Sequence, residues 1–178
     1  MTLTVPTYVA GQILRASDLQ DLADVVSYLA NQPVARGRRT TDKTTIAGTE
    51  LGVLRLDSVS LQGGLTYRIA TSSTSWEGSD NHVGRLAFRI DTTGAAATTS
   101  STLLHYSDAT VSSNLAPRGG QNLETLYSPS SDETVSILLT AIRVAGGSDL
   151  TIDIGTDHPL DLMVFALGND PGNTGTVI

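Results

Sequence analysis

Cysteine is absent from the 178 residues, which excludes disulfide scaffolds, thiolate metal sites and cysteine nucleophiles. Aromatics are scarce at 4%, with a single tryptophan, so a core has to rest on Leu, Val, Ile and Ala. Lysine is nearly missing: Lys43 is the only one, and the other cationic side chains are arginines. Charged residues reach 16%, against roughly 25% in an average soluble domain. No apolar run approaches the ~20 residues of a membrane helix, which predicts a soluble chain with no membrane partner. The opening Met1-Thr2-Leu3-Thr4-Val5-Pro6 has neither a basic n-region nor an apolar h-region. A secretory signal is therefore not expected, and cytosolic synthesis is.

What the chain does have is 39% hydrophobic residues, 17 glycines and abundant Thr and Ser. This suits one β-rich domain whose outer surface is Thr and Ser rather than Lys and Glu. A net charge of −7 argues against a nucleic-acid partner, which usually meets a basic face.

Four stretches differ in pattern. In residues 1–33, Ser17 reads as a helix N-cap with Asp18 in the first turn, and Asn31-Gln32-Pro33 ends the helix. Leu19, Leu22, Val26 and Leu29 are spaced 3, 4 and 3, the seam of a coiled coil, over less than two heptads. Such a helix either packs on its own domain or bundles with symmetry mates. Residues 34–50, with Arg36, Arg38 and Arg39 followed by Thr-rich sequence, read as a linker or arm. Residues 51–168 carry mostly period-two patterning, the signature of half-buried strands. Leu86, Phe88 and Ile90 alternate with Arg85, Ala87 and Arg89. The segments 135–144 and 160–167 are apolar on both faces, Asp161 apart, as covered strands are. Residues 71–83 read as a polar loop. Gly63-Gly64, Thr93-Gly94, Gly119-Gly120, Gly146-Gly147 and Gly155 mark turns. Residues 169–178 read as an irregular tail. The expected fold is mainly β: an antiparallel β-sandwich or jelly roll of seven or eight strands, preceded by a short N-terminal α-helix.

Motifs for chemistry are missing. His82, His105 and His158 lie in separate segments without metal-ligand spacing. Asp149, Asp153 and Asp157 recur every four residues, which is not the alternation of a calcium loop. There is no nucleophile elbow and no phosphate-binding glycine loop. No catalytic residue, cofactor or metal is expected, and the chain does not read as an enzyme. Trp76, in a loop with Asp80 and Asn81, is a candidate surface contact, but such a residue is more often a lid on the core, with the ring buried and the indole N–H bonded.

The segment Thr7-Tyr8-Val9-Ala10-Gly11-Gln12-Ile13-Leu14-Arg15-Ala16-Ser17-Asp18-Leu19 resembles an N-terminal motif of tailed-bacteriophage virion proteins, with Arg15 in place of the usual Thr and Gln20 in place of Asn. Gly64-Leu65-Thr66-Tyr67-Arg68-Ile69, Asp91-Thr92-Thr93-Gly94 with Thr98-Thr99-Ser100-Ser101, and the ending Pro171-Gly172-Asn173-Thr174-Gly175 are similar to the β-rich second part of actinobacteriophage proteins. The resemblance implies a non-enzymatic virion protein made in the host cytoplasm. A capsid decoration protein acting as a homotrimer on the major capsid protein is expected first, a minor tail or fibre protein second. On that expectation Leu19, Leu22, Val26 and Leu29 are the oligomer seam, and Arg36, Arg38 and Arg39 belong to a capsid-docking arm. A carbohydrate-binding module centred on Trp76 is the reading from another class.

Overall fold

In a computed structural model of the chain, residues 33–78, 81–111 and 118–169 are described. The expected N-terminal helix, its seam Leu19, Leu22, Val26 and Leu29, and the tail from 170 onward lie outside them. Twelve strands are present among the described residues: β1 (Ala35–Arg39), β2 (Lys43–Ile46), β3 (Leu51–Leu61), β4 (Leu65–Thr71), β5 (Thr74–Glu77), β6 (His82–Asp91), β7 (Thr102–Val111), β8 (Arg118–Gln121), β9 (Glu124–Tyr127), β10 (Glu133–Ala145), β11 (Leu150–Asp153) and β12 (Leu160–Asn169). No helix occurs among these residues. None of them forms a helix long and apolar enough to cross a membrane.

The strands form three four-stranded sheets with orders β1-β12-β4-β9, β2-β11-β5-β8 and β3-β10-β6-β7. Every pairing within them is antiparallel. The first two sheets repeat one order. β1 runs on into β2, β4 into β5, β8 into β9 and β11 into β12, each through a short break. Eight ribbons therefore carry the twelve strands. Numbered along the chain, they lie 1-8-3-6 in the first two sheets and 2-7-4-5 in the third.

One hydrophobic cluster unites all three sheets. It contains Tyr67, Ile69, Leu162 and Val164 from the first, Ile46, Trp76, Leu150 and Ile152 from the second, and Val53, Leu56, Leu86, Phe88, Ile137 and Leu139 from the third. Two glycines mark where backbone and side chain come closest between sheets. A Cβ on Gly37 of β1 would stand 2.9 Å from Leu56 of β3. A Cβ on Gly84 of β6 would stand 2.8 Å from the Trp76 ring of β5.

Turns form where Gly64, Gly94 and Gly146 take positive φ, a conformation that side chains disfavour. The structure departs from the sequence reading at four short strands. Residues 34–50, expected as a linker or arm, supply β1 and β2. The expected polar loop 71–83 contains β5. Gly119-Gly120, expected as a turn, lies inside β8. Each of these segments has weak period-two patterning; β1 pairs with β12, β2 and β5 pair with β11, and β8 pairs with β5.

Candidate interaction surface

The two outward sheet faces differ. On the third sheet, β10 is the inner strand between β3 and β6. Its residues Val135, Ile137, Leu139 and Ala141 join the core. The alternate residues Ser136, Leu138 and Thr140 turn outward, yet they are only 2%, 7% and 0% exposed. The chain itself covers them. Arg89 holds Glu50 with two bonds of 2.8 and 2.6 Å and donates a third to the Ser101 carbonyl. The Thr140 hydroxyl donates to Glu50. Ser136 donates to Asp57 at 2.7 Å and accepts the Ala97 amide at 2.9 Å, which brings the 92–101 loop over the strand. The Arg89 guanidinium, then Thr140, holds the Glu50 carboxyl below its ordinary range. Ser136 and then Arg55 do the same for Asp57. Farther along, Arg85 forks onto Asp108 at 2.6 and 2.9 Å and stacks on Tyr106 at 4.1 Å.

The outward face of the first sheet is ordered differently. The register aligns Arg38 with Asp161, and Arg36 with Met163, Ala70 and Glu124. The next row sets Phe165, Arg68 and Leu126 side by side. Val34 joins this end by donating its backbone N–H to the Val164 carbonyl at 2.7 Å. One end of the face is charged. Arg36 and Arg38 both fork onto Asp161, with four bonds between 2.7 and 3.2 Å. The bond from Arg38, reinforced by Arg36, holds the Asp161 carboxyl down at about 2. The Asp161 backbone amide donates to Ser72 Oγ at 2.8 Å. The other end is apolar and open. Val34, Leu126 and Leu167 are 51%, 61% and 54% exposed, with Met163 and Phe165 half-buried beside them.

The expected site residues fare unevenly. Arg36 and Arg38 are not on a free arm: they are β1 residues committed to Asp161. Arg39 donates to the carbonyls of Thr41, Asp42 and Val53 and so ties β1 to β3. Their spacing of two puts Arg36 and Arg38 on one face of a strand, so a single carboxylate can take both. Trp76 is 0% exposed, which removes it as a surface contact. Its ring fills the space over Gly84, and its indole N–H donates to Gln121 Oε1 at 2.7 Å. Gln121 passes the connection on to the Ser107 carbonyl at 2.6 Å. A large apolar ring with one polar atom explains this placement. The outward row Val34, Phe165, Arg68 and Leu126, with Leu167 beside it, escaped sequence reasoning, because the apolar period of 160–167 was visible but which of its faces stays open was not.

The histidines do not converge into a cluster. His82 is buried, its Nε2 accepting the Ser148 amide at 3.0 Å. His158 meets Asp153 at 3.2 Å, and His105 is exposed on β7. No group of three or more His, Asp or Glu positioned for a metal occurs among the described residues.

No family model matches the chain, and no curated protein matches it. Among solved structures it is weakly similar to the infectious bursal disease virus VP2 subviral particle, at TM-score 0.39 and 9% identity over 75% of this chain and 37% of that one. It is also weakly similar to the Clostridium thermocellum xylanase 10B CBM22-1 and GH10 modules, at TM-score 0.32 and 10% identity over 83% of this chain and 28% of that one. A third is the CBM22-1 xylan-binding domain from Paenibacillus barcinonensis Xyn10C, at TM-score 0.28 and 10% identity over 80% of this chain and 92% of that one. The chain thus spans about a third of the length of the first two.

Proposed function

We propose that this chain is a non-enzymatic structural protein of a tailed-phage virion, a decoration protein that binds the capsid surface as a symmetric trimer. The observation that carries this is the outward face of the first sheet. A four-stranded face that leaves Val34, Leu126 and Leu167 more than half exposed supports a surface that another protein covers. The motif resemblance at Thr7–Leu19 supplies the virion context. The ribbon orders 1-8-3-6 and 2-7-4-5 support it further. They fit a jelly roll, two Greek keys folded into two layers, an architecture used by viral capsid and lectin domains alike. Arg36 and Arg38 contribute by holding β1 in that face rather than by reaching out.

The test is co-sedimentation of the purified chain with isolated heads, and separately with isolated tails, of the phage that encodes it. Saturable binding to heads is expected. Binding to tails alone replaces the decoration reading with a minor tail or fibre protein. Binding to neither, with retention on a glycan array, replaces both with a carbohydrate-binding module.

A further inference from the structure

Residues 92–101 join β6 to β7 and pass over β10 at Ser136. Their sequence, Thr92-Thr93-Gly94-Ala95-Ala96-Ala97-Thr98-Thr99-Ser100-Ser101, has no charge and no large side chain. Ala97 is 1% exposed, whereas 92–96 and 98–100 are exposed. One methyl group is little apolar burial, so hydrogen bonds hold this strap. At its root Asp91 accepts the Thr93 amide and hydroxyl. At its end Arg89 donates to the Ser101 carbonyl. At its middle the Ala97 amide donates to Ser136 Oγ at 2.9 Å, and the Ser136 hydroxyl donates to Asp57 Oδ1 at 2.7 Å. A carboxylate therefore orients the hydroxyl, and the oriented hydroxyl turns a lone pair to the strap. Asp57 reaches Ser136 because β3 is irregular there. Val59 pairs with Val135 and Leu56 with Ile137, so Asp57 and Ser58 together face Ser136. That is a bulge, which re-aims a side chain. Ser58 takes φ 56°, a left-handed conformation that is strained for a serine and recurs where structure serves a function.

We infer that residues 92–101 are an acid-released strap, latched by the relay from the Ala97 amide through the Ser136 hydroxyl to the Asp57 carboxylate. Protonating Asp57 removes the charge that orients the hydroxyl. The strap then opens ahead of the sheet and uncovers Ser136 and the Ala97 methyl. Local opening of this kind falls to segments with little apolar burial and exposed side chains. Ser136, and then Arg55, holds the Asp57 carboxyl below its ordinary range. Closure therefore favours the ionised form: it is complete above the ordinary value of about 3.9 and is lost as the pH falls below it. Around the latch, β3 contributes Arg55, at 2.9 Å from Asp57. β6 contributes Asp91, the register partner of Ser136, and Arg89 with its partner Glu50. Farther along, Arg85 and Asp108 of β6 and β7 pair with each other, and His105 is exposed on β7. The strap adds no charge of its own. The device does not depend on the virion reading.

Amide hydrogen exchange on the full chain, read residue by residue from about pH 6 to about pH 2.5, tests it. Protection factors remove the intrinsic pH dependence of exchange. The Ala97 amide reports on the strap, and the amide of Leu139, 0% exposed on β10, reports on the sheet. As the pH falls, protection at Ala97 is expected to drop at least about tenfold further than at Leu139, the scale of one charge-assisted bond. Asp57→Asn keeps the shape and stands in for the protonated acid. Its side chain is 49% exposed, so folding is not threatened. At about pH 6 it is expected to lower protection at Ala97 at least about tenfold, to leave Leu139 unchanged, and to flatten the pH response. Asp91→Asn, at the root of the strap, is expected to keep that response. Exchange of Ala97 and Leu139 with the same protection at every pH overturns the inference, because the strap is then no separate unit. A pH response that persists in Asp57→Asn, or that disappears in Asp91→Asn alone, overturns it too, by placing the latch elsewhere.

Discussion

β10 turns Ser136, Leu138 and Thr140 outward and leaves them at most 7% exposed; β12 turns Met163, Phe165 and Leu167 outward and leaves Leu167 54% exposed. In the sequence the two strands look alike, apolar on both faces. The difference comes from elsewhere in the chain. β10 lies beside a loop whose Ala97 amide donates to Ser136, and beside Glu50, which Arg89 and Thr140 share. β12 has a cover of that kind only at its first turn, where Asp161 collects Arg36 and Arg38. Beyond Met163 its outward side has no such lattice among the described residues. Covering a strand by polar side chains requires each to find a partner, and the third sheet has the set of partners that the first lacks.

Charge insertion should expose this contrast most strongly. Leu138→Lys would place a largely buried ammonium between Arg55 and Arg89, its register neighbours on β3 and β6, and should cost more than about 3 kcal/mol in urea unfolding, given the penalty for an unpaired buried charge. A loss below about 1 kcal/mol would show that the cover opens freely. Next comes the polar end of the other face. Asp161→Ala leaves two guanidiniums without their carboxylate. With Asp161 buried and the arginines half exposed, a loss of about 2 kcal/mol is expected, between the buried and surface limits.

The same pair predicts an acid response. The folded Asp161 carboxyl sits at about 2, below the ordinary value of about 3.9. Its contribution is complete above about pH 4 and disappears as the pH falls towards 2. The melting temperature of the parent chain should therefore drop across that window by more than that of Asp161→Ala. Equal slopes would assign the acid sensitivity to Glu50 and Asp57 on the covered face, whose carboxyls are also held low.

A smaller effect is expected from Thr140→Val, which keeps the shape and removes one bond to Glu50 and one to the Ala87 carbonyl. About 1 kcal/mol should be lost, measured by thermal or urea unfolding. The smallest comes from Leu167→Glu. At 54% exposure it should alter stability by no more than about 0.5 kcal/mol, although it is the counterpart on β12 of the most damaging change on β10. A large loss there would mean that the open face is already covered in solution.

Much of this architecture was readable from residue spacing. β3, β4, β6, β7, β9, β10, β11 and β12 all fall on segments with apolar alternation or doubly apolar runs, and Gly64, Gly94 and Gly146 do sit in turns. The short strands β1, β2, β5 and β8 were not readable. Ala35–Arg39 reads ARGRR and has no apolar period; it becomes a strand because β12 offers it five register partners. Trp76 left two readings open, an exposed contact and, more often, a buried lid; only three dimensions bring Gly84 beneath its ring and Gln121 to its indole N–H.

By itself the sequence determined the class of fold, since period-two patterning, glycine turns and the lack of helical runs after residue 50 leave only an antiparallel β domain. It also set the chemistry that was available: no thiol, one lysine and few aromatics. Tertiary structure alone decided which side of each doubly apolar strand is covered and which carboxylate each arginine takes. The physical reason is range. Period and turn chemistry act between neighbours in the chain, whereas Arg36 finds Asp161 across 125 positions and Thr140 finds Glu50 across 90.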